Sequence, residues 1–327
     1  MSKEKLIVYF DATAARTTHC GRKTLWSIVD GYRAKEISAD IEFGSAFHKF
    51  RKIMRETNGN YNLAVAAAIE HMEKKQDAIV KKNKKKLMTK PYLLKICLDY
   101  WETWAPDNFK VLRLNPETLQ IETTGTGKAM FLEVKFDLPY YEDDDVKIII
   151  CGTIDEIGKF DNGCFSIADA KTTSSYDAKE YFKSYEMSSQ LMMYSWVIRE
   201  YKRRFPDNPL SQLNFQIGAF IDGIFLKSEE EGAEFKRSEV FQFKDAQLDE
   251  YEVLMKAQIF KLVNNIKQRP NLPLREGMFC GTCQNEKYRS LCEFWNACVA
   301  DNDPIVRDLI LKHQLKQVRY EPLKFGE

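Results

Sequence analysis

Ile148-Ile149-Ile150 opens a β-branched run that continues to Ile157, Asp161-Asn162-Gly163 supplies a turn, and Cys164 to Lys171 supplies a second apolar run. Two such stretches around so short a polar turn predict an antiparallel pair of strands. The ends of the pair set it apart. One strand carries Gly152-Thr153-Ile154-Asp155, and the other finishes in Asp169-Ala170-Lys171. Side chains alternate along a strand, so Asp169 and Lys171 share a face with Phe165 and Ile167. That face is apolar at one end and charged at the other, the pattern of a strand entering a cleft.

The rest of the chain is arranged around this pair. Before it, the period is helical. Phe43, Phe47, Phe50 and Ile53 recur at helical spacing, Leu63 to Met72 is alanine-rich with the same period, and Pro91 opens a helix through Trp104. The first hundred residues therefore read as helical. From about residue 109 the period becomes two, predicting strands over 109–114, 118–124 and 130–138, the last ending at Pro139, with Tyr140 to Asp145 as an acidic turn. After Lys171 the pattern predicts a helix from Tyr185 to Arg204, strands over 212–226 and 237–243, a long amphipathic helix over 245–268, and a short terminal helix. The expected class is α/β, a mixed central sheet flanked by helices, with a helical N-terminal region. No repeat or Gly/Ser/Pro linker divides the chain. The reading is one domain over residues 1–327, with a helical part over 1–108, an α/β core over 109–268 and a cysteine-rich segment over 269–327.

Composition narrows the class. The chain has 327 residues, enough for a substantial core, and its formal net charge of +1 gives no overall preference for an anionic partner. Basic charge is instead local: Lys74, Lys75, Lys81, Lys82, Lys84, Lys85, Lys86 and Lys90 crowd one segment. Such a run is either a solvated surface or a hold on a phosphate backbone through counterion release. No stretch approaches the roughly 20 apolar residues of a membrane span, and the N-terminal residues lack the apolar core of a secretion signal. No membrane association and a cytoplasmic location are expected.

Two neighbouring carboxylates repel unless a cation lies between them or one is protonated. Oxygen donors favour hard ions, Mg²⁺ or Mn²⁺. Such an ion neutralises charge on a phosphoryl oxygen and acidifies a water, and a lysine two residues from the acid can orient that water or stabilise developing charge. These parts fit phosphodiester hydrolysis. Asp-x-Lys by itself is common, and on an exposed strand it is a solvated ion pair; Asp155 alone reads equally well as a turn cap. Order along the chain raises the signal.

Gly44-Ser45-Ala46-Phe47-His48, Gly152-Thr153-Ile154-Asp155, Asp169-Ala170-Lys171 and Gln190-Leu191-Met192-Met193-Tyr194 follow one another in the chain. The series resembles the G-x-x-x-H, G-x-x-D, D-x-K and Q-x-x-x-Y motifs of the RecB-like branch of the PD-(D/E)XK nucleases, from about Thr13 to Cys292. The resemblance implies a restriction-endonuclease-like core. It implies metal binding by Asp155, Asp169, His48 and the carbonyl of Ala170, and a catalytic role for Asp155, Asp169 and Lys171, with Lys171 acting on the attacking water. Gln190 and Tyr194, on one helix face, would support the site and the DNA backbone. His48, flanked by Phe47 and Phe50, also reads as a satisfied core histidine, and Tyr194 as a core aromatic. Glu133 is a weaker candidate for an auxiliary acid.

There are eight cysteines. In a cytosolic chain, clustered cysteines bind metal more often than they form disulfides. Cys280, Cys283, Cys292 and Cys298 alone make a closed Zn²⁺ site conceivable. The resemblance offers another assignment. Iron–sulphur members of the branch, the CRISPR-associated RecB-family exonucleases and the AddB nuclease domain, join one N-terminal cysteine to three C-terminal ones on a [4Fe–4S] cluster that clasps the ends of the domain. Cys20, Cys280, Cys283 and Cys292 match that scheme, though the gap from Cys283 to Cys292 is longer than usual and Cys298 is a fifth candidate. Zinc would leave Cys20 unexplained, which favours the cluster. Cys97, Cys151 and Cys164 read as core residues.

The function implied is a metal-dependent DNA nuclease, an exonuclease on single strands or free ends, in DNA repair, recombination or phage DNA processing. No G-x-x-x-x-G-K-[ST] motif occurs, so a helicase or recombination motor would be a separate partner. Two other readings stay open: a catalytically inactive DNA- or protein-binding module of the same fold with a structural zinc or Fe–S site, and a zinc-stapled structural protein of a phage or repair assembly.

Overall fold

The computed structural model describes residues 5–35, 39–74, 89–104, 108–115, 121–122, 129–175, 177–213, 217–228, 230–269, 283–285, 290–300 and 303–324. The chain is α/β, with a mixed central sheet flanked by helices. Its contacts divide it into two compact units, residues 36–134 with 154–248, and residues 1–35 with 135–153 and 249–327. The three stretches read along the sequence do not follow this division: 1–108 divides after Lys35, and 109–268 divides at three places.

In the first of these units, the C-terminal half of strand Val146–Phe160 pairs antiparallel with strand Phe165–Thr173, from Glu156↔Ala168 to Lys159↔Phe165. Asn162 closes the turn by accepting the Cys164 amide at 3.0 Å. Strand Phe165–Thr173 then pairs in parallel with Gly218–Leu226, and that strand pairs antiparallel with Ala233–Arg237. A parallel pair needs a crossover, and helices Ala178–Lys183 and Ser189–Arg204 make it. All nine residues of Gly218–Leu226 are buried, as expected for a strand covered on both faces.

Helices Ala39–Glu56, Tyr61–Lys74 and Lys90–Trp104 bring Phe43, Phe47, Phe50, Leu93, Ile96 and Tyr100 into one core with Ala170, Ile224 and Leu226. Each fully buried phenylalanine contributes about 1.5–3 kcal/mol through area removed from water. Phe47, Phe50 and Tyr100 meet edge to face or tilted, with centroids 5.4 to 5.8 Å apart. This packing fixes the helix that carries His48.

In the other unit, strand Leu6–Phe10 runs parallel to Val146–Ile150, and Leu132–Glu142 joins the same strand. Strand Leu315–Gln317 pairs with Tyr32–Ala34, so the chain's N- and C-terminal segments meet in one ladder. Trp26, Phe294, Ala297, Leu311 and Leu315 form a small core beneath it.

Several elements differ from the sequence reading. The first hundred residues are not wholly helical, since Leu6–Phe10 and Tyr32–Ala34 are strands. The first is a five-residue β-branched and aromatic run, too short to show a period. Pro139 does not end its strand, which continues to Glu142. Among described strands its partner is Val146–Phe160, and an edge strand tolerates a residue without an amide proton. The acidic turn contracts to Asp143–Asp145, with Asp143 accepting the amides of Asp145 and Val146 at 2.9 and 2.8 Å. The helix expected from Tyr185 begins at Ser189, because the Ser188 hydroxyl caps the Leu191 amide. The strand expected over 237–243 is Ala233–Arg237, and Phe241 adds a single bridge to Ala219. Of the strand expected over 118–124, only Ile121–Glu122 is described.

Lys74 and Lys90, the ends of the basic run, form ion pairs with Glu70 at 2.7 Å and Glu73 at 2.6 Å. Lys75, Lys81, Lys82, Lys84, Lys85 and Lys86 lie outside the described residues. Among described residues, no helix is long and apolar enough to cross a membrane.

Candidate active site

His48, Asp155, Asp169 and Lys171 come together in one unit. The two motif glycines have identifiable steric reasons. A Cβ on Gly44 would stand 3.1 Å from Thr172 Oγ1, so glycine lets the His48 helix approach the strand just past Lys171. A Cβ on Gly152 would fall 2.7 Å from the Phe136 ring, which lies over the strand leading to Asp155.

Beyond the registered pair Glu156↔Ala168, Asp155 and Asp169 come next along the two strands. The Asp155 carboxylate accepts the Ala170 amide through Oδ2 at 3.1 Å and meets His48 Nδ1 at 3.3 Å. Asp169 is 1 % exposed, and its Oδ1 has no hydrogen-bond partner among the described residues. Lys171 Nζ lies 2.7 Å from Asp169 Oδ2, a charge-assisted hydrogen bond. Burial raises the Asp169 carboxyl above its ordinary range, the Lys171 ammonium opposes that, and the Asp155 charge reinforces it. Burial works against the Lys171 charge, but the Asp169 and Asp155 carboxylates outweigh it and hold the amine above its ordinary value. Lys171 is therefore a cation at neutral pH.

Among the described residues, no three His, Cys, Asp or Glu side chains converge tightly enough to hold one metal ion as they stand. The donor chemistry nonetheless fits a hard divalent cation. Asp155 and the His48 imidazole meet, Asp169 comes next to Asp155 across the strand pair, and Lys171 balances one carboxylate charge while the Asp169 Oδ1 stays open. Ala170, 1 % exposed, contributes its amide to Asp155.

Gln190 and Tyr194 form a separate pair, with Gln190 Nε2 donating to the Tyr194 hydroxyl at 2.8 Å on one helix face. Tyr194 is buried, as its core-aromatic reading required. Glu133 is ion-paired to Lys52.

Two groups beside the site escape sequence reasoning. The Tyr181 and Tyr185 hydroxyls lie 3.0 Å apart, Tyr181 is electrostatically coupled to Asp169, and Tyr185 to Lys171. Their spacing of four was the available signal, hidden because Tyr185 read as a helix start. Behind the strands, Arg51, Glu156 and Asp222 form a buried ion cluster.

The cysteines gather in the other unit. Cys20 is buried at the start of helix Gly21–Thr24. The Cys292 amide donates to the Cys283 carbonyl at 2.9 Å, and Cys292 and Cys298 pack against the Trp26–Phe294 core. Lys23 reaches Glu293 at 3.7 Å, tying the Cys20 segment to the Cys292 segment. Burial pushes the Cys298 thiol up to about 11; the Arg22 charge opposes this, and Cys20, Cys292 and Cys283 add to it. Cys298 thus has Cys20, Cys283 and Cys292 as electrostatic neighbours, though no three of the described thiols converge tightly enough to hold one metal ion as they stand, and Cys280 lies outside the described residues. Cys97 and Cys151 are core residues, but Cys164 is exposed because it closes the hairpin turn.

No protein-family model matches the chain, and no curated protein matches it.

Proposed function

We propose that the chain is a divalent-metal-dependent DNA nuclease with a PD-(D/E)XK core, acting as an exonuclease on single strands or free ends. The observation that carries this reading is Asp169, a fully buried carboxylate next to Asp155 that is bonded to Lys171 through Oδ2 and whose Oδ1 has no hydrogen-bond partner among the described residues. A metal-binding acid is expected to leave an oxygen open for the ion.

Asp155, Asp169 and His48 would hold Mg²⁺ or Mn²⁺, with the Ala170 carbonyl as a further ligand. When bound, the ion supplies charge neutralisation at the scissile phosphate and a more acidic water. Lys171, paired to Asp169, would position or activate the attacking water. It also stabilises charge developing on the phosphate oxygens. The Gln190–Tyr194 pair supports the strand end. In the same reading, Cys20, Cys283 and Cys292, with Cys280 or Cys298, hold a [4Fe–4S] cluster, with Zn²⁺ the alternative, and any motor is a separate partner.

The non-hydrolytic reading, a binding module of the same fold, is favoured by one observation, the lack of a preformed three-ligand group among the described residues. One assay separates the two. Labelled linear, circular and end-blocked DNA is incubated with the protein and Mg²⁺ or Mn²⁺. Degradation of free-ended DNA is expected, with Asp169→Ala and Lys171→Ala each lowering the rate roughly 100-fold or more. A wild-type protein inert with both metals, or an Asp169→Ala variant as active as wild type, ends the nuclease reading.

A further inference from the structure

Arg51 lies one helical turn beyond His48 and is 2 % exposed. Its Nη2 meets Glu156 Oε1 at 2.9 Å and Asp222 Oδ2 at 2.8 Å, and both acids are as deeply buried as the arginine. Each acid has a second arginine. Arg55 Nε stands 3.3 Å from Glu156 Oε2, and Arg237 reaches Asp222 through Nε at 2.8 Å and Nη2 at 3.2 Å.

The positions of the two acids carry the inference. Glu156 directly follows Asp155, and neighbouring side chains on a strand point to opposite faces. Fixing Glu156 behind the strand therefore fixes the direction of Asp155 in front of it. Asp222 is in register with Ala170, the residue between Asp169 and Lys171. One planar guanidinium thus ties the His48 helix, the Asp155 strand and the strand beside Asp169-Ala170-Lys171. Buried ion clusters gain little stability over apolar packing of the same volume. What they add is direction, since the planar Nη2 amino group of Arg51 holds its two acceptors at set angles and apolar contacts do not.

We infer that Arg51 is a positioning residue: through Glu156 and Asp222 it sets the spacing of His48, Asp155 and the Asp169-Ala170-Lys171 strand end for a shared divalent cation. The inference rests on the nuclease reading and deepens it. Outer contacts of this kind tune metal affinity and turnover.

The test compares wild type with Arg51→Lys, which keeps the charge and loses the planar amino group bridging the two acids, and with Glu156→Gln, which keeps the shape and loses the charge. Circular dichroism and melting establish folding. Mn²⁺ binding is measured on the protein alone, without DNA, and kcat and KM are measured separately on free-ended DNA. A folded variant is expected to lose roughly 10- to 100-fold in Mn²⁺ affinity and in kcat, with KM for DNA little changed. A merely structural role would leave the metal affinity of the folded fraction intact. Wild-type Mn²⁺ affinity and kcat in either folded variant overturn the inference. So does failure of both to fold, which makes the cluster structural. A wild-type protein that binds no Mn²⁺ and cuts no DNA instead fails the nuclease reading itself, before any variant is compared.

Discussion

Burial can act on a carboxyl even where donors are present, and Asp11 shows it. Its Oδ1 caps a helix by accepting the Ala14 amide at 2.7 Å, and it also accepts the Tyr320 hydroxyl at 2.6 Å. Desolvation outweighs both donors and raises the carboxyl above its ordinary 3.8. A folded pKa above the unfolded one stabilises the protein fully below the unfolded value, and that contribution is lost as pH rises through the folded value. Asp11→Asn keeps the accepting oxygen and removes the charge. Near neutral pH the variant is expected to equal or exceed wild type by on the order of 1 kcal/mol, with its advantage shrinking as pH falls toward about 4. Urea unfolding across that range measures it, and a penalty of constant size at every pH contradicts the argument. At this scale the sequence is informative where a residue breaks its local pattern. Asp169 and Lys171 stand at the end of an apolar strand with no packing reason to be charged, so they are legible. Arg51 and Glu156 are not, because an isolated arginine on a helix reads as a solvated face until its distant partners are known. Cys164 misleads for the opposite reason: apolar neighbours in sequence suggest burial, but a turn turns it outward.

Elements bring these residues within reach, and the approach of the His48 helix to the Asp169 strand depends on Gly44. With Thr172 Oγ1 already 3.1 Å from the position of a Cβ, a larger side chain must displace the Thr172 hydroxyl or the helix. Gly44→Val is expected to cost about 1–3 kcal/mol through overpacking and to lower nuclease activity by more than that loss of folded protein explains. A variant with wild-type melting and wild-type activity would show that the contact has slack. On the crossover helix, Tyr194→Phe keeps the buried ring and removes the acceptor for Gln190. A loss of about 0.5–1.5 kcal/mol in chemical unfolding is expected, and no loss would place the Tyr194 hydroxyl outside the network. Helices were legible from their period because each carries several apolar repeats. Pairing was not: Leu6–Phe10 is defined by its partner Val146–Ile150, and the continuation of strand Leu132–Glu142 past Pro139 by its edge position, both facts that local pattern does not contain.

For the whole molecule, chain order and physical grouping are different things. Residues 1–35, 135–153 and 249–327 make one unit although they are far apart in sequence, and loop closure over such distances is entropically unfavourable. That unit joins its ends through the ladder of Tyr32–Ala34 with Leu315–Gln317, a core of five buried residues, and the approach of Cys20 to Cys292 and Cys298. The Tyr320 bond to Asp11 and the Val318 amide bond to Gly31 extend this closure, and a group bound by the thiols would add to its cohesion. If the thiols hold a metal group, Cys20→Ser is expected to lower bound iron or zinc and to speed amide exchange most in 32–34, 292–298 and 315–317. Exchange in Phe43–Phe50 and Gly218–Leu226, packed in the other unit, should change least. Metal content identifies the group, with broad visible absorption expected for iron–sulphur and none for zinc. Full metal content and unchanged exchange in Cys20→Ser would mean that Cys20 is a core thiol and that pairing and packing alone hold the ends together.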